Sequence, residues 1–187
     1  MKKIPTLFER DAYDRRYVTE TVTPGCERVF GPGVLATRKW DGTCVMLDAA
    51  GWWFRREVKA GKTVQGEFIP VVTDPVTGKT FGWERPSSAG FDALLEEAIV
   101  NARGDLTMGT YELCGPKING NPEGSSGHVL LPHGALILWE CPSDAQGIRD
   151  FVSKMSGEGI VWWLDGEPIA KLKRRDLRPV TDKEEGE

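Results

Sequence analysis

Between Arg28 and Val58 the apolar positions recur at the spacing of strands. TCVML (43–47) is apolar and partly β-branched, DAAG (48–51) breaks it, and WWFRREV (52–58) resumes as a returning strand. KAGKTVQGEF and VVTDPVTGKTFGW follow, with DPVTG (74–78) as turn punctuation. The period changes at FDALLEEAIVNA (91–102). There Phe91, Leu94, Leu95, Ala98 and Ile99 fall at i, i+3, i+4, i+7 and i+8, and Gly104 supplies a stop, which predicts an amphipathic helix.

LTMGTYELCG (106–115) is strand-like, and PKINGNPEGSSGH (116–128) is a long loop rich in glycine and asparagine. ALILWE (135–140) reads as a buried strand. DAQGIRDFVSKM (144–155) reads as a second helix capped by Ser143 or Asp144. GEGIVWWL, the turn DGEP and IAKLK form a predicted hairpin. The segment before Arg28 carries no pattern that places an element. Strands dominate and the helices are inserted between hairpins, which predicts an α+β fold with antiparallel sheets.

The 187 residues suit one domain, expected over 1–178, followed by an acidic tail (179–187) expected to be disordered. No apolar run approaches the ~18 residues that span a bilayer, and MKKIPTLFERD has no apolar stretch behind its lysines. A cytoplasmic, membrane-free protein is expected, as a monomer. Cys26, Cys44, Cys114 and Cys141 form no CxxC pair, and with two histidines no zinc site is expected. Buried thiols in a reducing compartment are the expectation.

Net charge is −4, but it is segregated. KLKRRDLR (171–178) carries five positive charges against one negative, so a local basic surface survives the acidic total.

Lys39-Trp40-Asp41-Gly42 matches KxDG, a pattern of covalent nucleotidyltransferases that is too short to stand alone. TYELCG (110–115), with Glu112, resembles the third motif of that superfamily. EGIVWW (158–163), led by Glu158, resembles the fourth, and KLK (171–173) resembles the fifth. Four matches in order remove chance as an explanation. Alternation on a strand also points Lys171 and Lys173 to one face. The longer strings ATRKWDGTC, ELCGPKINGNPEG, LPHG and EGIVWWLDGEPIAKLKRRDL resemble the ATP-dependent 5′-3′ RNA ligase 1 family, over roughly Ala36 to Leu177.

The resemblance implies a nucleotidyltransferase fold of two antiparallel sheets flanked by helices, with a nucleotide groove between them. It implies that Lys39 attacks the α-phosphate of ATP, holds AMP as a phosphoramidate and passes it to an RNA 5′-phosphate, after which a 3′-hydroxyl displaces it. Attack needs an unprotonated amine. Burial and the positive charge of Lys171, Lys173 and Mg²⁺ or Mn²⁺ favour that form and offset charge on the phosphate. Asp41 and Glu158 are the expected cation ligands, and Glu112 the expected ribose contact. Gly42 is expected to supply a positive-φ bend. Strand alternation lets only one of Arg55 and Arg56 face the nucleotide, and its place in WFRR favours Arg55. Trp139 is the candidate for stacking on the base, against an ordinary sheet-face role. Arg56, Arg174, Arg175 and Arg178 are candidate RNA-phosphate contacts, against the reading of a solvated charged face.

No OB-fold of the kind that DNA ligases and capping enzymes append is expected after residue 178, and the arginine that DNA ligases carry just after KxDG is missing, Thr43, Cys44 and Val45 standing there. Both favour RNA. Two alternatives stay open: a DNA or nick ligase or other AMP-transferring enzyme, and an inactive nucleotide-binding module.

Overall fold

A computed structural model describes residues 3–102 and 104–179 of the chain; the acidic stretch from residue 180 onward lies outside the described residues. Its strands are β1 (Phe8–Arg10), β2 (Val18–Val22), β3 (Leu35–Lys39), β4 (Thr43–Asp48), β5 (Gly51–Val58) and β6 (Phe68–Thr73). There follow β7 (Thr80–Glu84), β8 (Gly109–Cys114), β9 (Val129–Pro132), β10 (Gly159–Leu164) and β11 (Glu167–Lys173). The helices are α1 (Pro86–Ala89), α2 (Asp92–Asn101) and α3 (Ala145–Lys154). The fold is α+β, dominated by antiparallel sheet. No described helix is long and apolar enough to cross a membrane.

The chain divides into two compact units. One is built on residues 40–135. Its six-stranded sheet runs in the order β6-β7-β5-β4-β8-β9, every pairing antiparallel. Alternation sends Val45, Phe54, Tyr111 and Leu113 to one face, where they form a core with Leu95 and Ala98 of α2. The helical stripe read from the sequence is the packed one: Phe91, Leu94 and Ile99 flank that core, and Phe91 stacks on Phe54 with ring centroids 5.0 Å apart. Asp74 makes the β6–β7 turn by accepting the backbone N–H groups of Val76 and Thr77 on Oδ1.

The other unit holds Ile4–Lys39 and residues 136–179. Its main sheet runs β11-β10-β3, beside the small β1-β2 ribbon. The β10–β11 hairpin closes through Asp165 and Gly166, both at positive φ (52° and 78°), as a two-residue turn of Asp-Gly type requires. Ile160, Trp162, Ala170 and Leu172 point to one face and pack with Leu7 and Phe8 and with Ile148 and Val152 of α3. Asp144 is the N-cap of that helix, its side chain accepting the Gly147 N–H at 2.8 Å. The N-terminal segment that sequence patterning left unplaced covers the outer edge of β11: Lys171 N–H donates to the Pro5 carbonyl and the Lys171 carbonyl accepts from Leu7 N–H. An exposed sheet edge is thereby paired.

ALILWE is not a strand. Ile137 makes an isolated bridge to Thr37, flanked by bonds from Arg38 N–H to the Leu136 carbonyl and from Leu138 N–H to the Ala36 carbonyl. The chain then turns, Cys141 N–H returning to the Leu138 carbonyl. The apolar run is a brief edge contact with β3, and only Leu138 of its large residues packs against the core.

Candidate functional site

Lys39 ends β3, Gly159 opens β10 and Lys173 ends β11, and the register sets all three side by side: Gly159 pairs with Lys39 on one flank and Lys173 on the other. A side chain at the central position would separate the two lysines. A Cβ there would overlap the Leu172 carbonyl oxygen and lie 2.8 Å from Lys173 Cα, so the position accepts glycine only. The lysine side chains meet over it on the carboxylate of Glu158, Lys39 Nζ on Oε2 and Lys173 Nζ on Oε1. Lys171 lies two residues back along β11, on the same strand face as Lys173, so the alternation expected of KLK holds. This face is opposite the one packed on α3.

The Glu158 side chain is 7% exposed, and the lysines 19% and 18%. Burial by itself would raise the carboxyl's pKa. The Lys39 charge and the hydrogen bonds from Lys173 and Lys39 outweigh it and hold Glu158 below the ordinary value. The cluster is two ammoniums on one carboxylate, with net positive charge, under partial shelter from water. Such a cluster suits a polyphosphate.

In the other unit, Asp41 and Gly42 form a tied-down loop. The Asp41 N–H donates to Glu123 Oε1 at 3.0 Å, and Asn119 Nδ2 reaches both Asp41 Oδ1 and the Gly42 carbonyl at 3.0 Å. Asn119 itself sits at φ 48°, a left-handed conformation that asparagine tolerates better than most residues. Gly42 does not occupy positive φ, contrary to expectation. The reason for glycine is close packing: a Cβ would overlap the Leu113 carbonyl oxygen and crowd Cys114 Sγ (2.8 Å) and Glu112 Cγ (2.9 Å).

Glu112 is buried on β8, cross-strand from Cys44. Its Oε1 accepts the Gly42 N–H at 3.0 Å, and its Oε2 lies 2.8 Å from His133 Nε2. The other ring nitrogen of His133 is 2.9 Å from Thr110 Oγ1. This face of the sheet is the one turned away from α2. Register and alternation put Arg55 on it, with its guanidinium 5.1 Å from the Phe81 ring centroid. Arg56 falls on the α2 side, where its Nη1 is 3.6 Å from buried Glu84. Arg55 therefore shares a face with Glu112, and Arg56 does not. Sequence reasoning assigned nothing to His133 or Cys44. The string LPHG carried the histidine, but only the pairing of β8 with β9 brings it to Glu112.

Trp139, expected on a strand, lies on a turn and is 80% exposed. Arg174 and Arg175 are exposed on a single 3-10 turn after Lys173. Arg178 is engaged: its Nη2 is 2.7 Å from Asp11 Oδ2 and its guanidinium lies 5.0 Å from the Tyr17 ring centroid. The hydrogen bond from Arg178 pushes the Asp11 carboxyl below its usual range.

Each unit contributes one of the two carboxylates expected to hold Mg²⁺. Glu158 offers one carboxylate already shared by two ammoniums, and Asp41 offers one carboxylate with an oxygen on Asn119. Neither is part of an all-oxygen cage, so a hard cation would take one of these carboxylates and draw its remaining ligands from phosphate and water.

Over 90 residues the chain is 37% identical to RNA ligase 1 of Danio rerio, a match covering 42% of this chain and 28% of that protein. Over 84 residues it is 37% identical to RNA ligase 1 of Pongo abelii, covering 39% of this chain and 25% of that protein. The chain thus matches less than a third of the length of either relative. No protein-family model matches the chain.

Proposed function

We propose that this protein is an ATP-dependent RNA ligase that joins 5′-phosphate and 3′-hydroxyl ends through a lysyl-AMP intermediate. The observation that carries the reading is Lys39, the motif lysine, held beside Lys173 on Glu158 at the ends of three paired strands. Its likeness to proteins named RNA ligase 1 supports RNA as the acceptor.

In the ion pair Lys39 has no lone pair to offer. The ammonium must shed a proton, and Glu158 is the carboxylate in contact with it. A triphosphate competes with Glu158 for Lys173, which frees the carboxylate to take that proton. The amine attacks the α-phosphorus, an N–P bond forms, the bond to pyrophosphate breaks, and the new N–P centre loses a second proton. Lys171 and Lys173 offset charge on the phosphate oxygens. Mg²⁺, when bound, neutralises polyphosphate charge. An RNA 5′-phosphate oxygen then displaces Lys39 from AMP, and a 3′-hydroxyl displaces AMP from the RNA. Glu112 and Arg55 serve as nucleotide contacts, and exposed Arg174 and Arg175 serve RNA phosphates.

The test is a sealing assay on 5′-phosphorylated, 3′-hydroxyl RNA with ATP and Mg²⁺, run beside a nicked DNA duplex and the Lys39→Ala variant. Joined RNA from the parent alone is the expected result. Joining of DNA only, or AMP transfer with no nucleic acid joined, would overturn the assignment of RNA as acceptor.

A further inference from the structure

Three ligating side chains that lie far apart in sequence converge on one face of the six-stranded sheet. Cys44 Sγ, a Glu112 carboxylate oxygen and a His133 ring nitrogen all lie within 4.8 Å of one another. Two are cross-strand neighbours on β4 and β8, and the third follows β9 directly. His133 is fixed through its backbone as well, its N–H donating to the Thr110 carbonyl at 3.1 Å. We propose that this triad binds one thiophilic divalent cation of the zinc class, through the Cys44 thiolate, Glu112 and His133 Nε2, with the fourth position open to water.

The donor chemistry selects the ion. One sulfur, one imidazole nitrogen and one carboxylate oxygen suit Zn²⁺ and its neighbours, whereas Mg²⁺ and Ca²⁺ favour all-oxygen sets. Bonds of about 2.3 Å to sulfur and about 2.0 Å to nitrogen and oxygen set tetrahedral ligand atoms roughly 3.3–3.6 Å apart. The present donors need shifts of about 1 Å to reach that spacing. The 2.8 Å contact between His133 and Glu112 would open, and the cation would take its place.

Around the ligands stands the kind of outer shell that orients them. Thr110 Oγ1 lies 2.9 Å from Nδ1, where in the metal-bound state it would accept the ring N–H and leave the Nε2 lone pair for the ion. The Gly42 N–H holds the other oxygen of Glu112. On binding, the Cys44 thiol would give one proton to solvent, and His133 would ligate as an imidazole carrying its proton on Nδ1. None of this needs a nucleotide; Glu112 is shared with the nucleotide contact proposed above, and metal binding is read separately from AMP transfer.

The experiment strips the full-length protein with EDTA, dialyses it, titrates with Co²⁺ and then displaces Co²⁺ with Zn²⁺. One equivalent of Co²⁺ should produce a thiolate-to-cobalt charge-transfer band and visible bands of tetrahedral intensity, both removed by Zn²⁺ and not by excess Mg²⁺. Cys44→Ser should abolish the charge-transfer band. His133→Asn should weaken Zn²⁺ binding by at least ~10-fold, and Thr110→Val, which touches no ion, by a few-fold. Absence of that band in the parent, or Zn²⁺ affinity unchanged in both ligand variants, would overturn the proposal. Should either variant fail to fold, alkylation of the parent decides. Zn²⁺ should shield Cys44 and leave the labelling of Cys26, Cys114 and Cys141 as it was; equal labelling of Cys44 with and without Zn²⁺ would refute the site.

Discussion

Replacing Glu158 with glutamine removes the charge that Lys39 and Lys173 share while keeping the side chain's shape. Both ammoniums are then left close together, each about four-fifths buried. Breaking a buried pair by removing one partner costs about 3–5 kcal/mol. The lysine tips retain some access to water and can turn toward it, which places the expected loss near the low end, about 3 kcal/mol. For a chain of this size that lowers Tm by roughly 6–12 °C. Lys39→Met should cost less, because Glu158 keeps Lys173.

The sign of the pH dependence is fixed by the depressed Glu158 carboxyl, whose ordinary value is 4.5. A carboxyl held lower when folded stabilises the protein fully above its unfolded value. That contribution is lost as pH falls through the folded value. Thermal melts of parent and Glu158→Gln should therefore differ by a constant amount from neutrality down to about pH 5 and converge in stronger acid. A variant that melts with the parent at pH 7, or a gap that survives into strong acid, would refute the reasoning.

Gly159→Ala should destabilise by at least ~3 kcal/mol, visible as a large drop in Tm or loss of soluble protein, because its Cβ overlaps the Leu172 carbonyl oxygen. Asp144→Ala removes the α3 cap and should cost ~1 kcal/mol, a Tm drop of about 2–4 °C. Arg55→Ala should slow AMP uptake at least ~10-fold with the melt unchanged, whereas Arg56→Ala should leave uptake alone. The reverse ranking would show that the wrong face had been assigned to the nucleotide.

The local devices of this chain were legible in its sequence. The α2 stripe, a cap for α3 at Ser143 or Asp144, a turn within DGEP and the alternation of Lys171 with Lys173 each depend on residues a few positions apart. Features that depend on which strands pair were not. ALILWE has the composition of a buried strand, but β3 offers it only a short edge, so Trp139 is carried out to solvent. Gly42 looked like a bend residue, and only the approach of Leu113 and Glu112 from β8 reveals why a side chain is excluded. The Glu158 bridge could not be read from motif order alone, since it depends on Gly159 lying between two lysines 134 residues apart. His133 and Cys44 flank Glu112 for the same reason, through pairings that no local pattern announces.

The central claim is that Lys39 is a nucleophile toward ATP. It is tested most directly by the intact mass of purified protein after incubation with ATP and Mg²⁺ or Mn²⁺, with Lys39→Ala beside it. The account predicts a gain of one AMP by the parent and none by the variant. No gain by the parent with either cation, or an equal gain by the variant, would contradict it.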